Sequence, residues 1–321
     1  MKTISLAIPL YNESEAFPLL RSRLGDLCAQ LARTYQVEIV LVDDGSRDDT
    51  WAQVMAFAGS DPRVKGIGLS RNFGHQVALL CGYEFATGEA VISLDGDLQD
   101  PPEVALAMLE RFEEGADVVC GVRRGRSGES IMKRVTAHGF YRLLGWLGDT
   151  RAPLDSGDFR LLSRRALDAL LRMREKHKYL RGMVGWIGYR TAQVDYDRPA
   201  RAAGHTKFGW LKMILFATDG IVSFSRFPLR LSFLLCLAAM VPFLGYLLYA
   251  FIAAVFFHHE LVPGWSSLLL GVVIFGSLNL IALGILGEYV GRMFENVKQR
   301  PDYLVMNVTS PDVVPAPRSR S

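Results

Sequence analysis

Two carboxylates one residue apart, Asp95 and Asp97, follow the apolar run Ala90-Val91-Ile92-Ser93-Leu94 and precede Pro101-Pro102. A short, partly β-branched run bounded in this way reads as a buried strand. Proline in a first helical turn opens a helix. The pair is therefore expected at the carboxyl end of a strand, the edge at which open α/β sheets bind ligands. Carboxylates held this close repel each other unless a cation lies between them. Mg2+ or Mn2+ suits such oxygen donors, typically one or two carboxylates completed by the phosphates of a substrate. The chemistry expected is a divalent cation gripping the diphosphate of a nucleotide.

The elements around that pair alternate. Strands are expected over residues 2–10, 37–42, 64–69, 90–94 and 117–120. Helices are expected from the polar turn Asn12-Glu13-Ser14-Glu15 to about Ala32, and over 49–58, 76–86 and 103–114. Alternation of this kind predicts a doubly wound, mostly parallel sheet with helices on both faces. Polar clusters recur at the strand ends: Asn12 and Glu13, Asp43 and Asp44, Asn72, then Asp95 and Asp97. On such a sheet these ends share one edge, so they are expected to line one cleft. The first strand–helix turn has no glycine and no Walker-type lysine loop is present, which excludes a dinucleotide-dependent dehydrogenase and a P-loop NTPase.

The chain has 321 residues, with 50% hydrophobic residues and a mean hydropathy of +0.18. The apolar excess is local. Residues 231–257 and 265–287 are almost unbroken apolar runs without a charge, and each exceeds the roughly 20 residues that span a bilayer as a helix. Arg226 and Arg230 precede the first run, Arg292, Lys298 and Arg300 follow the second, and the loop between them has no Lys or Arg. The positive-inside rule then places both ends in the cytoplasm. The N-terminal segment lacks the features of a signal peptide. The four cysteines, Cys28, Cys81, Cys120 and Cys236, show no metal spacing and read as reduced packing residues. The net charge of +3 is mild and gives no sign of nucleic-acid binding.

Beyond residue 120 the pattern loosens. A basic loop around Arg123-Arg124-Gly125-Arg126 leads to a basic, aromatic helix over 131–147. Asp155-Ser156-Gly157-Asp158-Phe159-Arg160 precedes a helix over 164–173, and residues 189–196 read as a strand. A basic loop from Arg198 to Lys207 precedes an amphipathic, interfacial helix from Phe208. The expected domains are 1–207 as a cytoplasmic catalytic domain, 208–230 as a juxtamembrane helix, 231–291 as two membrane spans, and 292–321 as a cytoplasmic tail, disordered from Thr309.

Several segments carry a resemblance: Ile8-Pro9-Leu10-Tyr11-Asn12-Glu13, Val42-Asp43-Asp44-Gly45-Ser46, Arg71-Asn72-Phe73-Gly74, Leu94 to Pro102, Gly157-Asp158-Phe159-Arg160-Leu161, Arg201-x-x-Gly204-x-Thr206-Lys207 and Leu286 to Arg292. Together they resemble the family-2, GT-A-fold glycosyltransferases that charge a polyprenyl phosphate with a sugar. Bactoprenol glucosyltransferases are the nearest in pattern, with dolichol-phosphate mannose synthases further off. The QxxRW motif of processive synthases is absent. The resemblance implies a Rossmann-like GT-A domain carrying two C-terminal transmembrane helices. It also implies roles. Pro9, Tyr11, Asn12, Glu13, Asp43, Asp44, Asn72 and Gly96 would hold the nucleotide sugar, with Asp43 near the base. Asp95, Asp97 and Gln99 would hold Mg2+ or Mn2+. Arg201 and Lys207 would close over the diphosphate, and Arg123, Lys133 and Arg134 would take the acceptor phosphate. Asp158 stands where relatives with hydroxyl acceptors place their base.

The implied reaction is transfer of a hexose, expected to be glucose, from a UDP-sugar to undecaprenyl or another polyprenyl phosphate at the bacterial inner membrane, with inversion. Mannose, galactose and N-acetylhexosamines stay open as alternatives. A phosphate monoester has a second pKa of about 6 and is largely ionised near pH 7. Such an acceptor needs no general base, so Asp158 is read as an orienting group. The implied partners are the UDP-sugar, the lipid acceptor, the bilayer, a second copy of the chain, and a flippase and downstream transferase of the same pathway. Two rival readings predict different behaviour. A transferase acting on a neutral hydroxyl needs Asp158 as an essential base, and a non-catalytic component of lipid-linked sugar export needs no intact Asp95–Asp97 pair.

Overall fold

The computed structural model describes residues 1–123, 156–173, 175–176, 178–197 and 264–315, with isolated positions between 234 and 255. The described residues fall into two units. One comprises 1–123, 156–197 and 300–315; the other comprises 264–299 and the positions between 234 and 255.

The first unit is an eight-stranded sheet with helices on both faces. In chain order its elements are β1 (Lys2–Leu10), α1 (Phe17–Leu31), β2 (Tyr35–Asp43), α2 (Thr50–Ser60), β3 (Val64–Leu69), α3 (His75–Phe85), β4 (Ala90–Ser93), α4 (Val104–Glu113), β5 (Val118–Arg123), β6 (Ser156–Ser163), α5 (Arg164–Leu171), α6 (Leu180–Trp186), β7 (Thr191–Tyr196) and β8 (Val305–Val308). The spatial order is β7-β5-β6-β4-β1-β2-β3-β8. Strands β1, β2, β3 and β4 pair in parallel, as do β5 and β7, whereas β6 and β8 run against their neighbours. The strands at the centre read as continuous apolar runs because both faces are covered. Ile4, Leu6, Ile8 and Leu10 of β1 are buried against α1, α2 and α4. Ala78, Leu79 and Tyr83 of α3 are buried on the opposite side of the sheet.

The mostly parallel sheet and its first five strands match the sequence expectation to within a few residues. Three details depart from it. The polar turn after β1 does not cap α1, whose first turn instead begins at Phe17 with Pro18; Asn12 is held in the left-handed region at φ 54°. Residues 156–163 form an antiparallel strand inserted between β4 and β5. The segment expected to be disordered from Thr309 is packed as far as Val313. β8 pairs with β3, Ser70 N donates to Leu304 O at 2.9 Å, Gly66 N donates to Thr309 Oγ1 at 2.9 Å, and Val313 is buried. Strand geometry is set by pairing partners far along the chain, so composition alone misreads this segment.

The second unit contains α7 (Trp265–Val297), of 33 residues. Its part Gly271–Val297 is, among the described residues, the one helix long and apolar enough to cross a membrane, with mean hydropathy 1.8. At 1.5 Å per residue, α7 is about 50 Å long. Glu288 accepts from Arg292 Nε at 2.9 Å, one turn on. The first expected span lies largely outside the described residues; the described positions between 234 and 255 are helical. Cys28, Cys81 and Cys120 are buried and form no disulfide among the described residues.

Candidate active site

The ends of β1 and β2 carry two turns that lock to each other. Asn12 N donates to Ser46 Oγ at 2.9 Å, and Asn12 Oδ1 accepts from Arg47 N at 2.8 Å. Glu13 N donates to Thr50 Oγ1 at 2.9 Å, and Ser14 N donates to Asp48 Oδ2 at 3.1 Å. A third turn joins them through Asp44, whose carboxylate accepts from Phe73 N at 2.7 Å and Gly74 N at 2.9 Å. Asp44 therefore fixes the 71–74 loop that starts α3. Asp43 is buried beside it and accepts a long bond from Ser46 N at 3.3 Å; burial pushes its carboxyl above the usual range.

Close approach of these turns depends on two glycines. Gly45 has φ +67°, and a Cβ there would lie 2.5 Å from the carbonyl carbon of Arg71. Gly45→Ala is expected to cost about 2 kcal/mol or more through left-handed strain and overlap with fixed backbone. Thermal or denaturant unfolding checks this, and an unchanged midpoint would contradict it. Gly96 has ordinary φ, but a Cβ there would lie 2.5 Å from Leu10 Cδ2. Its lack of a side chain lets the Asp95–Asp97 turn rest against the end of β1.

The cleft between these turns has a volume of about 360 Å³ and is lined by Pro9, Tyr11, Glu13, Asp44, Asn72, Asp95, Gly96 and Asp97, with Gly74, His75 and Ala78 from the start of α3. The turn carrying the two aspartates is tight. Leu98 sits at φ 55°, Gln99 N donates to Asp97 Oδ1 at 3.1 Å, and the buried Asp100 accepts from Tyr196 Oη at 2.5 Å. A non-glycine residue in the left-handed region is a feature of over-determined, functional turns. Burial pushes the Asp95 carboxyl up to about 6, reinforced by Asp100, Asp158 and Asp97 and opposed by His75. Burial likewise pushes Glu13 up to about 7, with Asp97, Asp48 and Asp95 adding repulsion. Among the described lining residues, the carboxyls of Glu13, Asp44, Asp95 and Asp97 thus crowd together with one cationic neighbour, His75.

These residues fit a hard divalent cation. The donors are oxygens, their carboxylates crowd one another, and Gln99 Oε1 is a buried acceptor with no hydrogen-bond partner among the described residues. Among the described residues no three His, Cys, Asp or Glu side chains converge as a closed ligand set. An open set completed by substrate phosphates and water is what Mg2+ and Mn2+ chemistry requires.

Behind Asp95 lies a second cluster, built by β6. The β4–β6 register pairs Ser93 with Arg160, so two residues further along β4 and two back along β6 bring Asp95 towards Asp158. His75 Nε2 is 3.6 Å from both Asp95 Oδ1 and Asp158 Oδ2. Asp158 is 7% exposed and its oxygens are fully engaged. Oδ1 accepts from Arg160 Nη2 at 3.0 Å and Arg181 Nε at 3.2 Å; Oδ2 accepts from Gln76 Nε2 at 2.8 Å and Arg181 Nη2 at 3.1 Å. Burial opposes its charge, but the His75 contact and the two guanidiniums outweigh burial and hold the carboxyl far below the usual carboxylate range. For His75, burial opposes the charged ring, yet the Asp158 contact and the Asp95 and Asp158 charges prevail and raise it.

Of the residues expected at the site, the structure brings Pro9, Tyr11, Glu13, Asp44, Asn72, Asp95, Gly96 and Asp97 into one cleft. Asn12 and Asp43 are placed in the turns that support it rather than in its lining. Arg123 ends β5. Lys133, Arg134, Arg201 and Lys207 lie outside the described residues, as do the helices expected over 131–147 and 208–227. Sequence reading passed over His75, Gln76 and Arg181. His75 directly follows the Arg71-Asn72-Phe73-Gly74 segment, but nothing local announces that β6 will deliver a carboxylate to it.

A parallel-centred sheet of this order, with a carboxylate pair at the carboxyl end of β4, is a GT-A-like domain. Residues 5–171 match the model of glycosyl transferase family 2, and the chain belongs to that family. It is 40% identical to the uncharacterized glycosyltransferase YkcC of Bacillus subtilis, over 94% of this chain and 92% of that protein. It is 38% identical to the prophage bactoprenol glucosyl transferase homolog of Escherichia coli, over 95% of this chain and 99% of that one. Among solved structures, glucosyl-3-phosphoglycerate synthase of Mycobacterium tuberculosis, in complex with Mn2+, UDP-glucose and phosphoglyceric acid, aligns at 19% identity and a TM-score of 0.46, over 69% of this chain and 78% of that one.

Proposed function

We propose that this protein transfers a hexose, glucose first among candidates, from a UDP-sugar to undecaprenyl or another polyprenyl phosphate, with inversion. The observation that carries the reading is Asp158. By the resemblance it stands where relatives with hydroxyl acceptors place their base, yet two guanidiniums and Gln76 saturate it and keep it ionised. A carboxylate so placed is a poor proton acceptor. It suits an acceptor that arrives already ionised, as a phosphate monoester does. The bactoprenol acceptor in the name of the Escherichia coli relative agrees with this chemistry.

On this reading Pro9, Tyr11, Glu13 and Asn72 bind the nucleotide, with Asp43 and Asp44 holding the turns behind them. Asp95, Asp97 and Gln99 would hold Mg2+ or Mn2+, which when bound supplies positive charge to the departing diphosphate. Arg201 and Lys207 close over that diphosphate, and Arg123, Lys133 and Arg134 seat the acceptor phosphate. An acceptor oxygen attacks the anomeric carbon in line as its bond to the diphosphate breaks, so an α-linked donor gives a β-linked product. Catalysis rests on positioning two anions against their repulsion. Two membrane spans, α7 and the apolar segment 231–257, would hold the cleft at the cytoplasmic face of the inner membrane, where the acceptor's headgroup lies while its tail stays in the bilayer.

The test is one assay. Detergent-purified protein is supplied with undecaprenyl phosphate and a panel of UDP- and GDP-sugars, with and without chelator. Chelator-sensitive formation of a lipid-linked sugar from UDP-glucose is expected. Transfer only to a hydroxyl lipid, or no turnover of any nucleotide sugar, would overturn the reading.

A further inference from the structure

The sheet order sets an order along the cleft. β4, which leads into the Asp95–Asp97 turn, lies between β1 and β6. Pro9 and the Tyr11–Glu13 turn flank the aspartates on the β1 side, and Asp158 of β6 flanks them on the other. His75, the first residue of α3, stands at that second flank, with Nε2 3.6 Å from Asp95 Oδ1 and 3.6 Å from Asp158 Oδ2. Asp158 is buried and does not line the cleft, whereas His75 lines it with 43% of its side chain exposed. The backbone is fixed on both sides of His75. Asp44 accepts from Phe73 N at 2.7 Å and Gly74 N at 2.9 Å, just before it. Gln76, just after it, donates to Asp158 Oδ2 at 2.8 Å and accepts from Leu180 N at 3.3 Å. With two carboxylates constraining the ring as well, a ligand that meets His75 has little motion left to freeze. An imidazole offers an N–H donor and, when neutral, a lone-pair acceptor. A hydroxyl, itself donor and acceptor, pairs with either.

We propose that His75 contacts a hydroxyl of the transferred sugar and takes part in selecting it. The inference rests on the reading of the cleft as a UDP-sugar site. A nucleotide sugar runs nucleoside, diphosphate, sugar. With the nucleoside at the turns of β1 and β2 and the diphosphate at Asp95 and Asp97, the sugar falls on the β6 side, at His75.

The test is calorimetric titration of the full-length protein in detergent with Mn2+, with UDP, UDP-glucose, UDP-galactose and UDP-N-acetylglucosamine as separate probes. His75→Ala is expected to weaken at least one UDP-sugar about five-fold or more, the size of one lost hydrogen bond, and to leave UDP within about two-fold. His75→Gln, which keeps a donor and an acceptor, is expected to show the same selective shift at smaller size, and it serves where His75→Ala does not fold. A ring that only balanced the charge of Asp95 would shift UDP and every UDP-sugar alike, because all carry the diphosphate. That result, or unchanged affinity for all four probes in the folded variants, would overturn the proposal and leave the functional reading standing. A parent protein that binds no UDP-sugar would overturn the functional reading and this inference together.

Discussion

Replacing Asp95 or Asp97 with alanine is expected to lower sugar transfer about 10³-fold, the scale on which removal of one electrostatic stabiliser acts. The loss is expected without a loss of fold. Burial pushes Asp95 up to about 6 and Glu13 up to about 7, and the neighbouring carboxylates of the cleft add to both shifts. Carboxyls raised in the folded state bind protons more tightly there than in the unfolded chain, where the values are about 4. Their stabilising protonated form is present at low pH and is lost as pH rises through about 6 and 7. At pH 7.5, without a divalent cation, Asp95→Ala therefore removes repulsion, and its unfolding midpoint is expected to equal or exceed that of the parent. Parallel rate and thermal-unfolding measurements check both halves. Transfer within ten-fold of the parent would refute the assigned role, and a large fall in the midpoint would show that the carboxylate serves the fold.

Asp158→Asn has the opposite signature. It leaves the fully buried Arg160 without its counter-charge, and breaking a buried ion pair on one side costs about 3–5 kcal/mol. A large drop in the unfolding midpoint is expected at pH 7.5. The folded carboxyl is held below its unfolded value, so its contribution to stability is present above the unfolded pKa of about 4 and fades only in stronger acid. Across ordinary assay pH the carboxylate stays ionised, and the rate profile is expected to carry no limb belonging to it. At saturating substrates the variant is expected to keep its rate within about ten-fold while its KM rises. A rate loss of several orders of magnitude in folded, substrate-binding Asp158→Asn would instead make Asp158 a base and favour a hydroxyl acceptor.

Most of the lining of the cleft was legible from residue order because each element involved is local. β1, β2 and β4 are predominantly apolar segments closed by polar turns, and a parallel sheet brings those turns to one edge whatever the details of packing. The Asp95–Asp97 turn directly follows its own strand, so its place at that edge follows from local order. The Asp158 cluster was not legible to the same degree. It depends on β6 inserting antiparallel between β4 and β5, on the Ser93–Arg160 register, and on α6 returning Arg181 to the same point. The Arg181–Asp158 contact spans 23 positions of chain and the Ser93–Arg160 register 67, and residue periodicity carries no record of them. β8 was missed for the same reason. Val305 to Val308 has the composition of a strand, but its partner is β3, more than two hundred residues earlier. The apolar helix α7 was read directly, since its length and hydropathy are properties of the segment alone.

On the proposed reading, Asp95 and Asp97 bind a cation that carries the nucleotide's diphosphate. Calorimetric titration of UDP into the full-length protein tests it most directly, because it needs neither acceptor nor turnover. UDP is expected to bind in the presence of Mn2+, to lose at least ten-fold in affinity when EDTA is added, and to show no such dependence on the cation in Asp95→Ala/Asp97→Ala. UDP affinity in the parent protein that is the same with Mn2+ as with EDTA would contradict the account.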